Sequence, residues 1–169
     1  MPLGTARPDL YGAFGSSFNY GKITFSVDFG YSVGGKAYNA VRRWTESMDK
    51  FHNQAVSVVN RWQIEGKQTS MPRAAYGDPS GNNFFSDRWI EDASYLKIRN
   101  LRLAYAFDRQ LFNFVSGNVW LGAENVWTLT RYLGGDPEFS YSYAEALRGF
   151  DYAKVTLPLN VKVGFNLNF

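Results

Sequence analysis

Lys22-Ile23-Thr24-Phe25-Ser26-Val27-Asp28-Phe29-Gly30-Tyr31-Ser32-Val33 is the stretch on which the reading of the chain turns. Ile23, Phe25, Val27, Phe29, Tyr31 and Val33 fall on one parity. Lys22, Thr24, Ser26, Asp28, Gly30 and Ser32 fall on the other. Successive side chains of a strand point to opposite faces, so this is a two-faced ribbon without an exception. An ordinary strand runs about 5–6 residues, whereas a tilted strand crossing a bilayer needs roughly 9–11. This run is long enough to cross.

Working outward, the last residues repeat the pattern. Val161, Val163, Phe165, Leu167 and Phe169 alternate with Lys162, Gly164, Asn166 and Asn168, and the sequence ends on an aromatic residue. Leu10–Tyr20 reads as another strand, with Leu10, Phe14, Phe18 and Tyr20 on one face, joined to the next through the tight turn Tyr20-Gly21-Lys22. In Tyr95–Phe107 the apolar phase slips. Leu96 and Ile98 lie on one parity, then Leu101, Leu103, Tyr105 and Phe107 on the other, so a β-bulge is expected near Asn100. Residues 119–127, with Val119, Leu121 and Ala123 on the apolar side, complete the set. Short connections (residue 21; residues 108–117) alternate with long ones (residues 34–92; residues 130–158). Transmembrane barrels alternate short periplasmic turns with long outer loops, so the final strand is expected to run inward and to leave Phe169 at the periplasmic rim.

The composition agrees with a membrane barrel better than with the obvious alternatives. Aromatic residues make up 18% of the chain, the net charge is only +3, and there is no cysteine. No dense basic field points to nucleic acid. Disulfide scaffolds and cysteine-based zinc sites are excluded, and the single histidine, His52, cannot build a multi-histidine metal site. No run of apolar residues reaches the length of a transmembrane helix. A mean hydropathy of −0.32 is compatible with barrel strands, whose polar face dilutes the average. Met1-Pro2-Leu3-Gly4 does not open a signal peptide, so either the protein stays inside the cell or its true N-terminus is missing. In the first long connection, Tyr38, Val41, Trp44, Met48, Phe51, Ala55, Val58 and Trp62 recur at spacings of three and four, which predicts an amphipathic helix.

Four blocks resemble one family. They are Arg61-Trp62 with Met71-Pro72-Arg73; the run from Ser86 through Asp87-Arg88-Trp89-Ile90-Glu91-Asp92-Ala93-Ser94-Tyr95 to Leu101, with Tyr105; Glu124-Asn125-Val126-Trp127-Thr128-Leu129-Thr130-Arg131-Tyr132 followed by Gly135-Asp136-Pro137-Glu138; and Gly149, Asp151 and Pro158 before the closing strand. In order and spacing they are similar to SusC/RagA-type TonB-dependent outer-membrane transporters, with Ala93 where the family usually has glycine. The resemblance runs from about residue 2 to residue 169. It implies an all-β fold: an antiparallel transmembrane β-barrel segment, about five C-terminal strands of a larger barrel, with a helix-bearing extracellular loop. It also implies that residues 1–169 are the C-terminal portion of a TonB-dependent receptor barrel domain, with the plug domain and most of the barrel absent. The chain is then expected to be a partial gene product, a truncated record or an excised segment. The implied function is energy-coupled import of oligosaccharides or peptides across the cell outer membrane. The implied partners are a SusD-like surface lipoprotein, the TonB complex acting through the missing plug, the barrel-insertion machinery and outer-membrane lipid. No enzymatic activity, cofactor or metal is expected. The alternative is a soluble or surface β-rich glycan-binding module.

Candidate residues follow from both readings. Lys22, Thr24, Ser26, Asp28, Lys162, Asn166 and Asn168 are expected to line a water-filled interior. Within the resemblance, Phe169 acts as the outer-membrane insertion signal. Trp89 and the Asp92-Ala93-Ser94-Tyr95 run read as an aromatic girdle where a strand meets the interface. Flat rings can stack on the C–H faces of sugars, so Phe139, Tyr141 and Tyr143 in the last long loop are candidates for contact with cargo or with the partner lipoprotein. Gly135-Asp136-Pro137-Glu138 reads as a turn rather than an acid/base pair. Asp78-Pro79-Ser80-Gly81-Asn82 lacks the spacing of a calcium loop, and Gly34-Gly35-Lys36 lacks that of a P-loop.

Overall fold

In a computed structural model, residues 3–108, 115–138 and 147–168 are described. The chain folds as two compact units. One comprises residues 8–34, 93–131 and 156–169, the other residues 1–7, 35–92 and 132–155.

The first unit is an antiparallel sheet of five strands: β1 (Leu10–Tyr20), β2 (Ile23–Val33), β5 (Tyr95–Phe107), β6 (Ser116–Thr130) and β8 (Asn160–Asn168), paired in that order. Residues paired across antiparallel strands share a face, and the register makes each face continuous. Phe18, Phe25, Leu103, Leu121 and Val163 form one cross-strand row. Tyr20, Ile23, Tyr105, Val119 and Phe165 form the next. Val27, Leu101, Ala123 and Val161 form a third, followed by Phe14, Phe29, Ile98 and Trp127. Phe14 and Phe29 stack at 4.9 Å. This face is apolar and exposed, Phe18 at 61% and Val163 at 77%. β1 and β2 have 11 residues each. At about 3.3 Å per residue and a tilt of about 40°, such a strand rises roughly 25 Å, the height of the apolar band of a membrane barrel.

The phase slip in β5 is resolved by the expected bulge. Asp28 pairs with Asn100 and Phe29 with Ile98, so Arg99 is the extra residue. The irregularity continues into β6, where Ile98 faces Trp127 and Asn100 faces Glu124. Asn125, inside that gap, has φ +55°, a left-handed conformation that asparagine tolerates better than most residues. One local insertion thus keeps Ile98 and Leu101 on the same face.

The second unit has a small sheet. β3 (Lys36–Asn39) lies between β4 (Ile90–Asp92), antiparallel to it, and β7 (Phe150–Asp151), parallel to it. The expected helix is present but short. Helix α1 (Ala40–Thr45) starts at Asn39, whose Oδ1 accepts the Arg42 N–H at 2.8 Å. It stops before Met48, which sits at φ +53°. A 3-10 turn, Val56–Asn60, follows. The long amphipathic helix expected over residues 38–62 is therefore corrected. Tyr38 belongs to a strand, and Met48 and Val58 pack with Met71 in a small cluster. Apolar residues three and four apart reflect two separate cores here, not one helical stripe.

Candidate functional site

The polar face of the five-stranded sheet repeats the row structure of the apolar one. Gly15, Asp28, Asn100, Glu124 and Asn160 form one row; Ser17, Ser26, Arg102, Gly122 and Lys162 form the next. Polar side chains bond across strands. Asn100 Nδ2 donates to Asp28 at 3.2 Å, Lys162 Nζ to Glu124, Thr24 Oγ1 to Asn19 at 2.7 Å, and Asn166 Nδ2 to Asn118 at 3.2 Å. Thr24, Ser26, Asp28, Lys162, Asn166 and Asn168 all lie on this face, as the alternation requires. Lys22 lies in the turn after β1 and pairs with Asp108 at 2.9 Å.

Parity also puts Tyr11, Tyr95 and Trp120 on the polar side, and the place of Trp120 is a consequence the reading of the sequence passed over. Trp120 pairs with Gly164, and a Cβ on Gly164 would come within 2.5 Å of the indole. The ring therefore lies across the space that the glycine leaves open. The Arg102 guanidinium sits 4.9 Å from its centroid. With Asp28, Asn100, Glu124 and Lys162, these side chains line an open groove of about 730 Å³.

In the second unit, Trp89 is completely buried (0% exposed) and packs with Tyr38 and Ala40. The expectation that it joins an interfacial girdle is corrected: the 3-10 turn Asp87–Trp89 turns its ring into a core. Arg88 lies 4.4 Å from its centroid and Arg42 5.7 Å. Arg42 pairs with Glu46 at 3.1 Å and with Glu91 at 3.0 Å. Burial works against the Arg42 charge, but the hydrogen bonds it donates to Glu91 and Glu46 outweigh it and hold the guanidinium above its usual value. Glu46 also accepts from Ser57, and Glu91 from the Leu133 N–H at 2.8 Å. Burial, aided by the Asp151 carboxylate to which it donates, raises the Tyr132 phenol far above its ordinary range. The conspicuous Arg-Trp-Ile-Glu run is thus structural: it ties α1, β4 and the segment after β6 into one body.

The turn readings fit the geometry. Asp78 accepts the N–H groups of Asn82 at 2.8 Å and Asn83 at 2.9 Å, and Asp136 accepts that of Glu138 at 2.9 Å. Ser94 closes the start of β5 across strands, accepting the Gly34 N–H through its hydroxyl at 3.0 Å and the Thr130 hydroxyl through its carbonyl at 2.7 Å. Phe139, Tyr141, Tyr143 and Phe169 lie outside the described residues.

The same unit holds an open concavity of about 490 Å³ beside the end of α1, walled by Trp44, Ser47, Asp49, Lys50, His52 and Asn83, with Arg43 at its edge. Six of its residues fall within positions 43–52, and Asn83 joins them only through the fold.

An antiparallel sheet, apolar and exposed on one side and polar with side chains bonded across strands on the other, defines the class: a segment of a transmembrane β-barrel wall. Comparison with known proteins agrees. No protein-family model matches the chain. TonB-dependent receptor P3 of Formosa agariphila is 25% identical over 99% of the chain, which covers 17% of that receptor. TonB-dependent receptor SusC of Bacteroides thetaiotaomicron is 32% identical over 74 residues, 41% of the chain and 7% of the receptor. Among solved structures, a chain of the RagAB peptide importer in its closed-closed state matches with a TM-score of 0.80 and 26% identity, over 99% of this chain and 18% of that one. The resemblance to SusC/RagA-type TonB-dependent transporters is therefore carried by sequence and fold together. The chain spans less than a fifth of the length of these relatives.

Proposed function

We propose that the chain is a C-terminal wall segment of an energy-coupled outer-membrane importer of oligosaccharides or peptides. In this reading it forms part of the barrel and its outer loops. A SusD-like surface lipoprotein serves the same importer, and TonB-derived energy reaches it through a plug domain. The reading assigns it no catalytic step. The observation that carries the proposal is the largely apolar face that runs across five strands, interrupted in β1 by Ser16, backed by a polar face whose side chains bond across strands, Lys162 to Glu124 and Asn100 to Asp28. Hydrocarbon tolerates the first face and a wet interior tolerates the second. The names of the relatives, TonB-dependent receptors and a peptide importer, support the same reading.

The sequence has no cysteine, so single-cysteine labelling tests the orientation directly. Leu101→Cys and Arg102→Cys are adjacent in β5 and face opposite ways. In proteoliposomes, a water-soluble maleimide is expected to label position 102, while a bilayer-restricted quencher reaches a probe at position 101. The reverse pattern, or aqueous labelling of both, removes the importer reading and favours a soluble β-rich module.

A further inference from the structure

The concavity beside α1 brings together a fixed aromatic wall and mixed polar groups. Trp44 sits in the last turn of α1 with about half its surface exposed. Its ring is held edge-on by Tyr152, with centroids 4.8 Å apart at 77°, and Tyr152 stacks in turn on Phe150. The Trp44 carbonyl accepts from His52 Nε2 at 2.9 Å, which puts the proton on Nε2. Backbone and ring are therefore both held, while about half of the residue stays exposed.

Around the ring are donors and acceptors at short range. The Ser47 hydroxyl donates to Asp49 at 2.6 Å, keeping that carboxylate oriented, and the Lys50 ammonium lies next to it in sequence. Asn83 forms another part of the wall. It is only 8% exposed and donates through Nδ2 to the Ser47 carbonyl at 2.9 Å. Its Oδ1 is the single buried side-chain oxygen or nitrogen among the described residues with no hydrogen-bond partner. The Nδ2 contact to a carbonyl fixes which end of the amide is the oxygen, so a flipped amide does not remove the orphan acceptor.

We infer that this concavity is a subsite for a pyranose ring of an oligosaccharide, stacked on Trp44 with its hydroxyls taken by the polar groups at Ser47, Asp49 and Lys50. A sugar ring presents an apolar C–H face and hydroxyls that both donate and accept, which matches an aromatic plane bordered by donors and acceptors. A peptide added as a further strand would need a free strand edge, and this wall is made of a helix end and turns. The inference deepens the import reading and rests on it for its biological sense.

The full chain in detergent micelles, titrated with cellohexaose and separately with hexaalanine and followed by saturation-transfer NMR, tests it. Cellohexaose is expected to bind, with signal transfer strongest at the C–H protons of one ring face. Trp44→Ala should weaken binding by about tenfold, the scale of one lost ring contact. Trp44→Phe, which keeps a flat ring, should restore most of it, and Lys50→Ala, at an exposed position, should weaken it several-fold. These two variants keep the inference testable if Trp44→Ala does not fold. Binding of hexaalanine alone, absence of cellohexaose binding, or binding indifferent to Trp44→Ala or to Lys50→Ala overturns it. A chain that passes the cysteine-labelling test but binds no sugar loses only this subsite; a chain that fails the labelling test loses the import reading itself.

Discussion

Single residues matter most where a charge has been taken out of water. Glu91 is the clearest case. Its side chain is almost fully buried, and it serves Arg42, Asn39 and the Leu133 N–H at once. Breaking a buried pair by removing one partner typically costs about 3–5 kcal/mol, because the other charge is left unpaired in a poorly solvated site. Glu91→Ala should therefore loosen the second unit, and tryptic cleavage at Arg42, Arg43 and Lys50 in the folded chain should rise sharply. Replacing an exposed partner such as Glu124, which meets Lys162 on a wetted face, should change stability by about 1 kcal/mol or less. Equal sensitivity at the two positions would contradict the assignment of Glu91 to a buried network.

At the scale of the strand, face decides tolerance. Leu101 lies in the middle apolar row and Arg102, its neighbour, on the polar face. A charged residue facing lipid near the bilayer midplane costs about 2–4 kcal/mol, whereas a position facing water is far more permissive. Leu101→Arg should therefore reduce insertion into liposomes strongly, and Arg102→Leu should not. Deleting Arg99 removes the bulge that holds Ile98 and Leu101 on one face. A one-residue slip sends a whole set of side chains to the opposite face, so the deletion should damage insertion at least as much as the charge. The strands were legible in the sequence for the same reason. A period of two is a strong signal when neither face is ambiguous, and the phase slip at Asn100 located the bulge. The ends of β6 were not legible, because Ser116, Gly117 and Asn118 carry no apolar alternation to read. The helix was overread because Tyr38, Met48 and Val58 serve different local cores that happen to share a helical spacing. The Trp44 concavity could not be read at all, since Asn83 reaches it only through the fold.

The whole molecule is governed by its two outer strands. Among the described residues, β1 and β8 stand at opposite ends of the strand order and each pairs on one side only. An unpaired edge offers a row of backbone N–H and C=O groups, and in hydrocarbon those groups have no water to turn to. Five strands are also too few to enclose a lumen that side chains do not fill, since a barrel of about eight is only just wide enough to be packed by its own side chains. The apolar face adds a second demand. Rows such as Phe18, Phe25, Leu103, Leu121 and Val163 form a contiguous surface, whereas soluble monomers rarely expose apolar patches beyond about 300–600 Å². Without detergent, the chain should therefore sediment as aggregate. In micelles the face is covered and only the edges remain, so association should persist as small oligomers whose size depends on protein concentration. Sedimentation velocity across a dilution series, with and without detergent, separates these outcomes. A single monomeric species in plain buffer would mean that the apolar face is satisfied within the chain and that neither edge needs a further strand. That result would remove the wall from the barrel.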